Sequence, residues 1–151
     1  VPSPSSCCIP PAMRRWPLAV WLAVCLASPL VAWGVVALGR PLAAQAGWPL
    51  VWVLAGSPLL EEWVYRAGVQ PTLASRLGGQ FARHAGHWAN LFTALLFVAV
   101  HSPAHGMWAL AWIVPGLLLG ELFRQTQRVW PCVCLHAWFN VSLFAAGLLG
   151  H

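Results

Sequence analysis

The chain has 151 residues, of which 60% are hydrophobic and only 7% are charged. Soluble domains carry about 25% charged residues, so this composition excludes an ordinary soluble domain and indicates an integral membrane protein. All eight basic residues are Arg, scattered along the chain, and the formal net charge is +5. Because no basic cluster is interleaved with aromatic residues, we predict no nucleic-acid partner.

In chain order, residues 1–13 come first and are rich in Pro and Ser, which predicts a disordered N-terminal tail. Residues 14–151 are then expected to form a single membrane-embedded domain. Its apolar runs predict about five helical spans, since only helices satisfy the backbone of such segments in hydrocarbon. The predicted spans are approximately residues 16–39, 47–66, 88–104, 106–123 and 130–150. The expected fold is therefore all-α, a polytopic transmembrane helical bundle, with the lipid bilayer as its partner.

Arg placement predicts the orientation of these spans. With the N-terminus on the cytoplasmic side, the inner loops and ends hold six Arg residues, whereas the outer side holds only Arg40. The six are Arg14, Arg15, Arg76, Arg83, Arg124 and Arg128. Cytoplasmic loops of membrane proteins are enriched in Arg and Lys, so we expect a cytoplasmic N-terminus.

The three acidic residues all lie in or beside apolar segments. Glu61 and Glu62 follow an apolar stretch and precede Arg66. A carboxylate within a membrane is costly, and such residues mark a functional site by default. Helical i,i+4 spacing pairs Glu62 with Arg66 and leaves Glu61 as the free carboxylate, although both acids could simply neutralise Arg66. The third acid, Glu121, is spaced i,i+3 from Arg124, which predicts a local ion pair.

Three further polar side chains in the predicted spans are His101, His136 and Asn140, the last two one helical turn apart. At about 1.5 Å of rise per residue, the depths of His136 and Asn140 allow them to meet Glu61 within the bilayer, and His101 joins them if the third span tilts or starts deeper. A carboxylate and a His can deprotonate a water, while a His and an amide can donate to an oxyanion, which suits amide hydrolysis. A metal site on Glu61, His101 and His136 stays an alternative, although the H-E-x-x-H motif is absent.

These residues resemble the three motifs of the CPBP family, the CAAX-processing and bacteriocin-processing (Abi-type) intramembrane endopeptidases. The motifs are Glu61-Glu62-x-x-x-Arg66, Phe97-x-x-x-His101 and His136-x-x-x-Asn140. The resemblance covers about residues 55–145 and implies a metal-independent glutamic peptidase without a cofactor. In it, Glu61 and His101 activate the water, and His136 and Asn140 form the oxyanion site.

The same resemblance implies that Glu62 and Arg66 support the site. It further implies a bacterial cytoplasmic (inner) membrane enzyme that acts on a membrane-anchored or tail-anchored protein. The chain is much shorter than the better-known eukaryotic-type members, which argues against prenylated substrates and leaves C-terminal sorting tails of surface proteins as candidates. Two other functions stay open: a non-catalytic membrane maturation or immunity partner, and a metal-dependent membrane hydrolase or small ion carrier.

Overall fold

The computed structural model describes residues 16–38, 50–81 and 83–149, so the predicted disordered tail, residues 1–13, lies outside the described part. Every regular element in this part is helical. The α-helices are α1 (Leu18–Ala37), α2 (Ser57–Glu62), α3 (Gln70–Phe81), α4 (Ala85–His105), α5 (Ile113–Thr126) and α6 (Val129–Leu149). Two π-helical turns (Trp52–Gly56 and Trp63–Val69) flank α2, and a 3-10 helix (Gly106–Trp112) connects α4 to α5.

The segment 50–81 forms one continuous helical run in which each π-helical turn ends just before a proline. Proline has no N–H, and its ring clashes with the carbonyl four residues earlier, so the helix must widen or bend. Ahead of Pro58, the Ser57 N–H donates to the carbonyl of Trp52, five residues back. Ahead of Pro71, the Gln70 N–H donates to Tyr65 in the same way. The helix therefore continues past Pro71, beyond the end of the predicted span 47–66.

Helices α4 and α5 form an antiparallel hairpin. The chain reverses after α4 at Gly106, whose φ of +56° is a left-handed conformation that a side chain would strain. The Asn90 amide of α4 donates to the Leu117 carbonyl of α5 at 3.0 Å and ties the two helices together. At the other end of α5, Gln127 also adopts a positive φ, and α6 follows.

Helix α1 packs mainly along α6. The indole N–H of Trp138 donates to the Cys25 carbonyl at 2.9 Å, and the hydroxyls of Ser28 and Ser142 lie 3.3 Å apart. An apolar core joins α5 to α6 beside this contact. It consists of Leu119, Leu122, Cys132 and Leu135.

Three helical runs in the described part of the chain are long and apolar enough to cross a membrane. They are Leu18–Ala37, Ala85–Thr126 and Val129–Gly147. The second run, 42 residues long, contains the α4–α5 hairpin and covers the third and fourth predicted spans. The helical run 50–81, which carries the charged motif, is not among the three. The structure confirms the all-helical architecture with apolar membrane-length helices, and the count of five spans stays a prediction.

Candidate active site

The two adjacent carboxylates of α2 have different surroundings. The side chain of Glu61 is 23% exposed, whereas that of Glu62 is 1% exposed. Glu61 accepts a hydrogen bond from the hydroxyl of Ser57, one turn earlier on the same helix. Of the two carboxylates, only Glu61 can therefore be reached by a molecule from outside the protein.

Glu62 forms the i,i+4 ion pair with Arg66 that the sequence predicts. The Arg66 Nε lies 3.0 Å from Glu62 Oε2, and both side chains are 1% exposed. The guanidinium also donates to Gln70 Oε1 and to the Gly116 carbonyl of α5, each at 3.0 Å. Gln70 in turn donates to the Gly120 carbonyl at 3.0 Å. Charge neutralisation and four hydrogen bonds thus fix the buried pair against α5.

The imidazole of His136, on α6, lies between the two carboxylates. Its Nδ1 is 2.9 Å from Glu62 Oε1, and its Nε2 is 3.8 Å from Glu61 Oε2. An ionised carboxylate only accepts hydrogen bonds, so Nδ1 carries a proton and Glu62 sets the ring orientation. The Nε2 atom, on the other side of the ring, then faces Glu61.

The structure connects His101 to this cluster through an aromatic side chain rather than directly. His101 Nδ1 donates to the Phe97 carbonyl at 2.8 Å, which leaves Nε2 as the acceptor of a neutral imidazole. The His101 ring lies 4.3 Å from the ring of Phe97, and Phe97 makes an edge contact with His136 at 6.1 Å between centroids. Phe97 therefore separates and spaces the two imidazoles.

Asn140 lies one turn beyond His136 on α6, but its amide makes a contact that the sequence did not predict. The Nδ2 atom donates to the backbone carbonyl of Val53, in the first π-helical turn, at 2.9 Å. One of its two amide hydrogens is thereby used within the protein. The other is still available to a ligand.

Sequence reasoning missed two contributors to this cluster, Ser57 and Gln70. Each is spaced i,i+4 from a charged residue of the motif, and that spacing was the signal that could have identified them. The predicted pair Glu121–Arg124 does form, at 2.7 Å, on α5. Within residues 16–38, 50–81 and 83–149, no group of three His, Cys, Asp or Glu side chains is arranged to hold a metal ion.

Comparison with known proteins supplies one match. The family described as "Rce1-like: Type II CAAX prenyl endopeptidase Rce1-like" matches residues 43–142, which include α2 to α5 and the part of α6 that carries His136 and Asn140. Searches of curated proteins and of solved structures found no match. The match covers well over half of the chain and the whole cluster of polar side chains. With its apolar helices, the chain is therefore an integral membrane protein and a member of the Rce1-like family of CAAX-type intramembrane proteases.

Proposed function

We propose that this protein is a metal-independent glutamic endopeptidase that cleaves a protein substrate within or near the membrane. The observation that carries the proposal is the difference between the two acids. Glu62 is buried and bonded to Arg66 and His136, whereas Glu61 is partly exposed and faces His136 Nε2 at 3.8 Å. One acid thus orients the imidazole, and the other is available for chemistry.

In the proposed reaction, Glu61 and His101 both contact the attacking water, and one of them accepts its proton while the water oxygen attacks the substrate carbonyl carbon. The Nε2 atom of His101 suits this role, because its Nδ1 proton is already donated to Phe97. A positioned general base of this kind contributes about 10²–10⁴-fold to the rate. The proton then passes to the leaving amine as the C–N bond breaks, which completes hydrolysis.

The negative charge that develops on the substrate oxygen would be stabilised by His136 and Asn140. For this role Nε2 of His136 must carry a proton that it can donate to the oxyanion. Asn140 has one amide hydrogen left for the oxyanion. Removing one such donor costs about 10²–10³-fold in kcat.

The proposed setting is the bacterial cytoplasmic membrane, with residues 14–151 as one domain, about five spans and the N-terminus in the cytoplasm. Its substrate would be a membrane-anchored or tail-anchored protein, such as a surface protein with a C-terminal sorting tail. The family match supports a CAAX-type protease. The apolar, membrane-length helices that carry His101, His136 and Asn140 support a substrate that is itself attached to the membrane.

The test compares membranes of cells that carry the wild-type gene, Glu61→Gln, His101→Ala, or Glu121→Gln as a matched control. Terminal peptides of membrane proteins are quantified by mass spectrometry. We expect a new substrate terminus with the wild type and Glu121→Gln only, and the same cleavage in the presence of a chelator. Full cleavage by Glu61→Gln would refute the proposal and favour a non-catalytic maturation partner. Loss of cleavage with chelator would favour the metal-dependent alternative.

A further inference from the structure

The carbonyl of Val53 is left without a backbone hydrogen bond by the proline that follows it. In an α-helix this carbonyl would accept from residue 57, but the Ser57 N–H is bonded to the carbonyl of Trp52. In a π-helix it would accept from residue 58, which is Pro58 and has no N–H. Both donors that a helix offers to Val53 are therefore removed. A helix carbonyl away from water needs a partner from elsewhere.

That partner is Asn140, whose Nδ2 donates to the Val53 carbonyl at 2.9 Å across the α6 interface. Pro58 itself is among the most completely buried side chains in the described part of the chain. We propose that Pro58 is a positioning residue for Asn140. By keeping the Val53 carbonyl free, it makes one carbonyl available to the amide and fixes the amide plane.

The consequence for catalysis rests on the proposed function. A carboxamide is planar, so fixing one N–H of Asn140 on Val53 also fixes the direction of the other. A preorganised donor needs no reorientation when the oxyanion forms, and an error of about 1 Å in such a group can cost about 10²-fold in rate. Pro58 would thus affect turnover without contacting the substrate.

The hydrogen bond can be tested without any substrate. Val53–Leu54 is the single Val–Leu pair in the sequence, so labelling with [1-¹³C]Val and [¹⁵N]Leu isolates one peptide group for NMR in detergent micelles. We expect the Val53 carbonyl signal to move upfield in Asn140→Ala. In Pro58→Ala, residue 58 regains its N–H, so adding Asn140→Ala to that variant should leave the signal unchanged. A Val53 signal that does not respond to Asn140→Ala in the wild-type background would overturn the proposal.

A second measurement uses the two Asn residues of the chain, Asn90 and Asn140. With [¹⁵N]Asn labelling, Pro58→Ala should accelerate exchange of the Asn140 amide hydrogens and leave those of Asn90 unchanged. Equal exchange rates of the Asn140 amide hydrogens in the wild type and in Pro58→Ala would contradict the inference. This comparison needs no substitution at Asn140.

The catalytic consequence is tested by kinetics, with Pro29→Ala as the matched control, because Pro29 is an exposed proline inside α1. We expect Pro58→Ala to lower kcat about 10²-fold with KM unchanged, and Pro29→Ala to change neither. Unchanged kcat in Pro58→Ala would overturn the positioning role. If the wild type itself cleaves nothing, the proposed function fails, while the NMR result still decides the hydrogen bond.

Discussion

The packing of α5 against the charged cluster predicts a large effect for Gly120→Ala. A Cβ atom at Gly120 would lie 1.8 Å from Asn90 Oδ1 and 3.0 Å from Arg66 Nη1. The Gly120 backbone carbonyl also accepts a hydrogen bond from the Gln70 side chain. The absence of a side chain here lets α4 and the helical run 50–81 approach α5 at the same point.

The magnitude follows from what Asn90 must give up. Its side chain is buried, and its amide donates to the Leu117 carbonyl, so it cannot retreat without breaking that bond. Loss of a hydrogen bond costs about 0.5–1.5 kcal/mol, and overpacking costs about 1–3 kcal/mol. Replacing Gly by Ala within a helix returns about 1 kcal/mol. We therefore expect Gly120→Ala to lower the free energy of unfolding by about 0.5–3.5 kcal/mol.

The assay is reversible unfolding in mixed micelles, with two other glycine variants as controls. In Gly34→Ala the new Cβ, on α1, meets nothing within 4 Å, so we expect the free energy of unfolding to increase by about 0.4–1 kcal/mol. In Gly116→Ala the Cβ lies 3.3 Å from Ala94, and the effect should fall between the two. If Gly120→Ala proves as stable as Gly34→Ala, the close approach at α5 is refuted.

Three other substitutions test separate contacts. Glu62→Gln removes the charge that faces the buried Arg66, so the free energy of unfolding should fall by about 3–5 kcal/mol in the same assay. A loss below about 1 kcal/mol would contradict the buried pair. Gln70→Leu removes an acceptor of the Arg66 guanidinium, so we expect the free energy of unfolding to fall by about 1–3 kcal/mol and cleavage to slow. Wild-type stability and wild-type cleavage would show that the Arg66–Gln70 hydrogen bond is dispensable. Trp138→Phe removes the hydrogen bond to the Cys25 carbonyl, so we expect the free energy of unfolding to fall by about 0.6 kcal/mol and cleavage to be unchanged. A slower cleavage rate would contradict this expectation and connect α1 to the site.

The part of the site that could be predicted from the sequence consists of contacts within one helix. The Glu62–Arg66 pair and the Glu121–Arg124 pair both form, because residues three or four apart on a helix are neighbours whatever the tertiary packing is. Helix formation throughout the apolar segments was also predictable, because hydrocarbon offers the backbone groups of a segment no partner outside that segment.

Contacts between helices could not be predicted in this way. Hydropathy and spacing do not reveal that His136 bonds Glu62, that Phe97 stands between His136 and His101, or that Asn140 turns to Val53. These depend on the rotation of each helix about its axis. The π-helical turns change that rotation.

The prolines that widen the helix were visible in the sequence, but their effect on the site was not. A π-helical turn cannot be recognised from the pattern of apolar residues. It nevertheless rotates every later side chain about the helix axis relative to the residues before the turn. The widened turns stand on both sides of α2, and therefore on both sides of Glu61 and Glu62. The geometry of the carboxylates was thus beyond a prediction based on 3.6-residue periodicity.

The location of Glu62 and Arg66 on one helical run has a consequence for biogenesis. Their opposite charges cancel as soon as that segment becomes helical, and this pairing needs no contact with a helix synthesised later. Glu61 has only the Ser57 hydroxyl on its own helix, and its imidazole neighbour belongs to α6, the latest of the described helices to be synthesised. Any chemistry that needs both Glu61 and His136 therefore requires that α6 has been synthesised and has packed against α2.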